Sequence, residues 1–137
     1  MPSNAVALDS SVLIEHFRMK DKDHSLLNRL MLEFEELSVS PLVLYEIQIG
    51  RTESRLLDSS AILENLTVLP FGEDTVVKAA ALYQKLKQAN KLIDHFDILI
   101  AASAIVHDLP LATLNRKHFE RIEGLILFDD ERRMPTF

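Results

Sequence analysis

Short apolar segments alternate with longer segments of helical periodicity along this chain, and this alternation constrains the fold more than any other feature. Segments with the length and composition of buried strands are residues 5–8, 37–39, 67–69, 111–113 and 125–127. Helical periodicity covers residues 12–17, 24–35, 41–49, 53–65, 73–89, 96–107 and 117–121. Fully apolar strands separated by helices are typical of a parallel sheet with helices on both faces. We therefore predict an α/β fold, a three-layer α/β/α sandwich around a parallel sheet of about five strands.

Boundary signals agree with this division. Ser40 and Pro41 suit the N-cap and first position of a helix, and Gly50 can end that helix. The 137 residues contain no Pro/Gly-rich linker and no internal repeat. We expect a single domain over residues 1–137.

Composition excludes several classes of protein. The chain has no cysteine, so disulfides and thiolate metal sites are absent. It has no apolar run of about 18 residues, and its first residues do not resemble a signal peptide; we expect a cytoplasmic protein without a membrane anchor. The formal net charge of −6 argues against strong nonspecific nucleic-acid binding. A nuclease stays possible, because a bound cation offsets the charge of a carboxylate cluster.

Three acidic residues lie where such a sheet is expected to bind ligands, beyond the carboxyl ends of its strands. Asp9 directly follows the first strand. Glu46 lies on a helix whose residues one turn away are apolar, and Asp97 opens a helix rich in alanine and aliphatic residues. A carboxylate on an apolar face is costly unless it is paired, hydrogen-bonded or bound to a metal. Asp9, Glu46 and Asp97 are therefore our candidate catalytic and metal-binding residues.

Each of these acids also has a structural alternative. Asp9 can cap the helix that follows it, although Ser10 can do the same. Glu46 can lie at the edge of the apolar stripe with its carboxylate in water. Asp97 can stabilise the first turn of its helix after an Asp94 cap. Both readings stay open, and Asp94 and Ser10 are possible accessory residues.

A second polar group follows the fourth strand. Asn115 is either a turn residue or a metal contact through its amide oxygen, and His118 can orient a phosphate. Arg116, Lys117 and Arg51 are possible contacts to the phosphates of a substrate, although the first two can equally be surface charge.

The chemistry that suits this acidic set is metal-dependent hydrolysis. Mg²⁺ and Mn²⁺ prefer hard oxygen ligands, and Mg²⁺ usually keeps several waters. Such a cation acidifies a bound water and polarises a phosphate. The carboxylates therefore indicate phosphodiester hydrolysis without a covalent protein nucleophile.

Four segments carry motifs that occur together in a known family. They are residues 7–14 (ALDSSVLI), 40–50 (SPLVLYEIQIG), 93–102 (IDHFDILIAA) and 111–125 (LATLNRKHFERIEGL). In this order they resemble the PIN-domain family, specifically its VapC-type toxin ribonucleases from toxin–antitoxin pairs. The resemblance implies a Mg²⁺- or Mn²⁺-dependent endoribonuclease, commonly a homodimer, that is neutralised by a cognate antitoxin.

One position departs from the family pattern. Many members carry a further acid after the fourth strand, where this chain has Asn115 and His118. Three acids are enough ligands for one metal ion but provide weaker support for a second metal ion. Asp94 is a further source of negative charge, but the motif aligns on Asp97.

Other functions stay open from the sequence. A phosphatase-like enzyme with Asp9 as nucleophile would need a second aspartate two residues on, where Ser11 stands. A catalytically weak PIN-like binding module is the non-enzymatic alternative. A toxin and a stand-alone processing nuclease would have the same sequence features, and those features do not identify which RNA is cut.

Overall fold

Four parallel strands form the sheet of this computed structural model, which describes residues 4–53 and 60–129, with the backbone alone described at 51–53 and 60. In the described ranges the strands are β1 (Ala5–Leu8), β2 (Glu36–Val39), β3 (Thr67–Val68) and β4 (Leu111–Ala112). Their order in the sheet is β3-β2-β1-β4, and every pairing is parallel. The predicted α/β fold with a central parallel sheet is confirmed.

The fifth predicted strand is reduced to a single bridge. Leu127 pairs in parallel with Leu111, and the Leu111 amide donates to the Ile126 carbonyl at 2.9 Å. Ile126 is exposed and Gly124 has a φ of 89°, so neither burial nor a straight backbone favours a longer strand here.

Helices connect the strands and flank the sheet. Their bounds are α1 (Ser10–Arg18), α2 (Leu26–Glu33), α3 (Pro41–Glu53), α4 (Ser60–Leu63), α5 (Glu73–Gln88), α6 (His95–Val106) and α7 (Arg116–Phe119), with a 3₁₀ turn at Lys22–His24. α1 packs against α2 and α3, and α6 packs against α5, α3 and α7. None of the described helices is long and apolar enough to cross a membrane.

The predicted start of α3 is confirmed, since the helix begins at Pro41 with Ser40 directly before it, but its predicted end at Gly50 was wrong. The helix continues through Gly50 to Glu53, so Gly50 does not end it. The Ser40 hydroxyl precedes the helix but is buried without a hydrogen-bond partner, so it does not cap it. Residues 54–59 of the predicted helix 53–65 lie outside the described residues, and α4 is the described part of that segment.

The core lies between the sheet and the helices. All four residues of β1 are buried, as expected for a central strand covered on both faces. The largest fully buried side chains are Phe119, Leu8, Leu13, Leu27, Leu30, Ile47, Leu111, Val6, Val12, Val39 and Val43. This packing fixes the ends of β1 and β4 relative to α3 and α6.

The strand order reverses beside β1. The chain runs from β1 to β2 and β3 on one side and returns to place β4 on the other side. The Asp9 amide donates to the Ala112 carbonyl at 3.0 Å, so the two strand ends lie together. A switch in strand order opens a crevice beyond the carboxyl ends of the strands, and this is where Asp9 leaves the sheet.

Candidate active site

Asp9 occupies the N-cap position of α1, but its side chain does not cap the helix. The residue is only 4% exposed. Its Oδ2 accepts hydrogen bonds from Ser11 Oγ and Thr113 Oγ1, each at 2.8 Å. The capping alternative is therefore not adopted, and two hydroxyl groups hold this carboxylate at the end of the sheet.

The two hydroxyl groups also join the end of β1 to the end of β4. The Ser11 and Thr113 oxygens lie 3.4 Å apart, and Ser11 Oγ accepts from the Leu114 amide at 3.0 Å. Thr113 Oγ1 accepts from the Asn115 amide at 2.9 Å. We did not single out Ser11 or Thr113 from the sequence as site residues. The available signal was a hydroxyl residue just beyond each of two strands that meet at the switch point.

Glu46 projects from α3 toward the same place. It is half-buried, and its Oε1 is buried without a hydrogen-bond partner. Burial raises the pKa of the Glu46 carboxyl, and the negative charges of Asp9, Asp97 and Asp94 raise it further, while a hydrogen bond with Ser10 opposes the shift. A buried carboxylate oxygen without a donor is rare in native structures and is suited to bind a cation.

Asp97 lies in the first turn of α6, and Asp94 is the N-cap. Asp94 is exposed and its Oδ2 accepts from the Phe96 amide at 3.1 Å, so Asp94 has the capping role that the sequence allowed. The pKa of Asp97 is raised, first by burial and then by the charges of Asp9 and Asp94, while His118 lowers it. Capping by Asp94 leaves the Asp97 carboxylate available to the acidic cluster of Asp9, Glu46 and Asp97.

His118 lies between Asp97 and Asn115. Its Nδ1 is 3.5 Å from Asp97 Oδ2 and 2.8 Å from Asn115 Nδ2. A ring protonated at Nδ1 donates to the carboxylate, whereas a ring with its only proton on Nε2 accepts from the Asn115 amide. The pair therefore connects the end of β4 to α6 on the side of the cluster where a fourth acid is absent.

The predicted phosphate contacts differ in how they are held. Arg116 Nη1 donates to the Phe128 carbonyl at 2.8 Å, and its Nε lies 3.9 Å from Glu120 Oε1, so this guanidinium already holds the chain beyond α7. Lys117 is exposed. The side chain of Arg51 lies outside the described residues.

Known proteins resemble this chain in sequence and in fold. The sequence profile of the PIN domain matches residues 6–125. The chain belongs to the PIN domain family. Ribonuclease VapC1 of Rickettsia felis is 34% identical over 86% of this chain and 90% of its own length. Ribonuclease VapC19 of Mycobacterium tuberculosis is 32% identical over 86% and 94%.

Solved structures show the same fold. VapBC2 from Rickettsia felis, bound to a DNA fragment from its promoter, matches this PIN domain with a TM-score of 0.79 and 26% identity, over 90% of this chain and 97% of the other. DNA-bound VapBC from Salmonella typhimurium matches with a TM-score of 0.81 and 23% identity, over 94% and 98%. The second likeness is evidence for the fold alone.

The donors in this PIN domain fit a divalent cation in chemistry, although they do not form a ligand cage. No three His, Asp or Glu side chains within residues 4–53 and 60–129 are already arranged to hold one ion. The three carboxylates are nevertheless close enough for their charges to raise the pKa of Glu46 and Asp97. With the unpartnered Glu46 Oε1, they make an all-oxygen donor set of the kind that Mg²⁺ prefers.

Proposed function

We propose that this PIN domain is a metal-dependent endoribonuclease and the toxin of a toxin–antitoxin pair, with Mg²⁺ as the cation and Mn²⁺ as a substitute. The observation that carries the proposal is the cluster of Asp9, Glu46 and Asp97 at the switch point of the sheet. Burial and mutual repulsion both disfavour the charged carboxylates, as their raised pKa values indicate, and one buried carboxylate oxygen has no partner, so a bound cation would stabilise the cluster.

The relatives support the substrate and the partner. Curated proteins about a third identical over most of this chain are named ribonucleases, which makes RNA the proposed substrate. The structural neighbour at 26% identity is a VapBC complex, which makes a cognate antitoxin the proposed protein partner. Homodimer formation stays a prediction from the family resemblance, and a cytoplasmic location stays a prediction from the sequence.

The side chains have different roles in the proposed reaction. Asp9, Glu46 and Asp97 would hold the cation, which when bound acidifies a water and neutralises charge on the phosphate. Ser11 and Thr113 keep Asp9 Oδ2 in place through their two hydrogen bonds.

His118 and Lys117 act at the side of the cluster that lacks a fourth acid. His118 orients Asp97 from 3.5 Å and can hold a proton at Nδ1. Lys117 is exposed beside it and offers a charge to a flanking phosphate.

Cleavage should depend on both the cation and Asp9. We expect the wild type to cut structured RNA in Mg²⁺ or Mn²⁺ and to stop in EDTA. Asp9→Asn should lower the rate at least about 100-fold. Loss of a residue that only hydrogen-bonds a metal ligand already costs about 10- to 100-fold, and Asp9 is itself a proposed ligand. Cleavage is followed on a gel, and the matched control is Asp23→Asn, which changes an exposed aspartate in the turn before α2. Binding of RNA without any cleavage in either metal would favour the non-catalytic PIN-like module.

Thr113 tests the support of Asp9. Thr113→Val removes the hydroxyl that donates to Asp9 Oδ2 and should slow RNA cleavage about 10- to 100-fold. Thr113→Ser keeps the hydroxyl and should stay within a few-fold of the wild type. The cleavage rate is measured beside the melting temperature of each variant. A wild-type rate in Thr113→Val would remove this hydrogen bond from the active site.

A further inference from the structure

Two aromatic side chains meet beside the acidic cluster. Tyr45 on α3 and Phe96 on α6 have ring centroids 5.8 Å apart and an interplanar angle of 55°. Tyr45 directly precedes Glu46 and Phe96 directly precedes Asp97. The contact between α3 and α6 therefore carries two acids and, one residue before each of them, two aromatic rings.

The Tyr45 ring is open to a ligand. Tyr45 is 56% exposed, whereas Phe96 is half-buried. Because the rings are tilted, Phe96 contacts Tyr45 without lying flat over it. Ile49, one turn further along α3, is 42% exposed and extends the apolar surface. Phe96 thus supports a tyrosine whose ring remains available.

We propose that Tyr45, supported by Phe96, stacks on an unpaired nucleobase of the RNA next to the phosphodiester that is cut. This inference rests on the proposed ribonuclease function and adds a specificity determinant to it. Proteins recognise single-stranded RNA by stacking its bases on aromatic side chains. A nucleobase is neutral, so the net charge of −6 does not oppose its stacking on Tyr45.

The position of the rings explains why a base is the expected occupant. Each ring is the chain neighbour of a carboxylate in the cluster, and the proposal places the phosphate of a nucleotide stacked on Tyr45 near those acids. A second copy of this chain on the same surface would instead bring another set of the same acids toward the first, and like charges would oppose that contact. The expected preference is for flexible or looped RNA over a continuous duplex.

The tyrosine content of the chain gives a direct readout of stacking. The chain has no tryptophan and only two tyrosines, Tyr45 and Tyr83. Tyr83 stacks on His95 with centroids 5.5 Å apart, and Tyr83→Phe keeps a ring there. In the double variant Tyr83→Phe, Asp97→Asn, Tyr45 is the only tyrosine. If Asp97 is catalytic as proposed, this variant leaves RNA uncut in Mg²⁺, and a gel verifies that the RNA is intact.

Titration of this double variant with a short single-stranded RNA should quench tyrosine emission saturably. A duplex of the same sequence should not, and free tyrosine corrects for absorption by the RNA. Absence of saturable quenching by RNA that is shown to bind by anisotropy would overturn the proposal.

Substitutions of Tyr45 separate stacking from general apolar contact. Tyr45→Phe should bind single-stranded RNA like the wild type, whereas Tyr45→Leu should bind about 5- to 150-fold more weakly, the range that loss of one base–aromatic stack produces. The loss should appear in KM rather than in kcat. Leu32→Ala, which shortens an exposed leucine of α2, is the control.

The remaining outcomes are equally decisive. Wild-type affinity in Tyr45→Leu, or a change in its oligomeric state by light scattering, would overturn the proposal, the latter because a second copy then covers the ring. If the wild type cut no RNA but single-stranded RNA still quenched Tyr45 emission saturably in the double variant, the proposed nuclease function would fail while stacking on Tyr45 would be supported.

Discussion

Asp97→Asn is expected to abolish RNA cleavage, by at least about 100-fold, and to leave the metal-free fold as stable as the wild type or more stable. Burial raises the pKa of Asp97, and the negative charges of Asp9 and Asp94 raise it further. Asparagine has nearly the same shape but carries no charge, so it removes a metal ligand and relieves the repulsion at once. Cleavage rates and urea unfolding of the metal-free proteins measure the two effects.

The matched control for Asp97→Asn lies just beyond the far end of the same helix. Asp108 is exposed and has a φ of 56°, a backbone conformation that asparagine also tolerates. Asp108→Asn therefore removes one negative charge without touching the cluster and should leave cleavage unchanged. A large loss of metal-free stability in Asp97→Asn would show that Asp97 is a structural residue and would contradict its assignment to the active site.

The stability difference between Asp97→Asn and the wild type should depend on pH in a defined direction. Because the pKa of Asp97 is raised in the folded protein, the folded state holds this proton more tightly than the unfolded state. The contribution of Asp97 to the free energy of unfolding thus falls as pH rises from the ordinary pKa of an aspartate through the raised one. The gain from Asp97→Asn should be largest at neutral pH and shrink on acidification through that window, as urea unfolding at several pH values will show.

The sequence predicted the frame of the site because the frame depends on local signals. Each of four short apolar strands is recognisable alone, and parallel order brings their carboxyl ends to one edge. Asp9 and the residues that follow β4 were therefore expected at the same edge of the sheet. The fifth strand and the end of α3 were less predictable, because the solvent exposure of Ile126 and the continuation of α3 through Gly50 are decided by tertiary packing.

The contacts within the site depend on register and could not be predicted. The bond from Thr113 to Asp9 spans 104 positions of sequence, and a shift of one residue between β1 and β4 would turn the side chain to the other face. The same holds for Tyr45 and Phe96, whose meeting depends on how α3 crosses α6. Sequence patterns identified the acids, while packing decided which hydroxyl groups and rings accompany them.

Glu46→Gln is expected to remove most of the stabilisation that Mg²⁺ or Mn²⁺ gives to this protein. A cation that binds only the native state, at about 100 times its dissociation constant, adds about 2.7 kcal/mol to the free energy of unfolding. For a chain of this size that is about 10 °C in melting temperature.

Glutamine keeps the size of Glu46 but carries no charge. It therefore removes the cost of burying a charged group and the repulsion from the neighbouring acids, the two effects that raise the pKa of Glu46. Its metal-free melting temperature should therefore stay at or above that of the wild type, while its response to the cation falls. Melting curves with and without each metal measure both quantities, and Glu33→Gln, an exposed glutamate of α2, is the control. Equal cation-induced shifts in the wild type and Glu46→Gln would exclude Glu46 from the metal site, and the unpartnered Oε1 would then need another explanation.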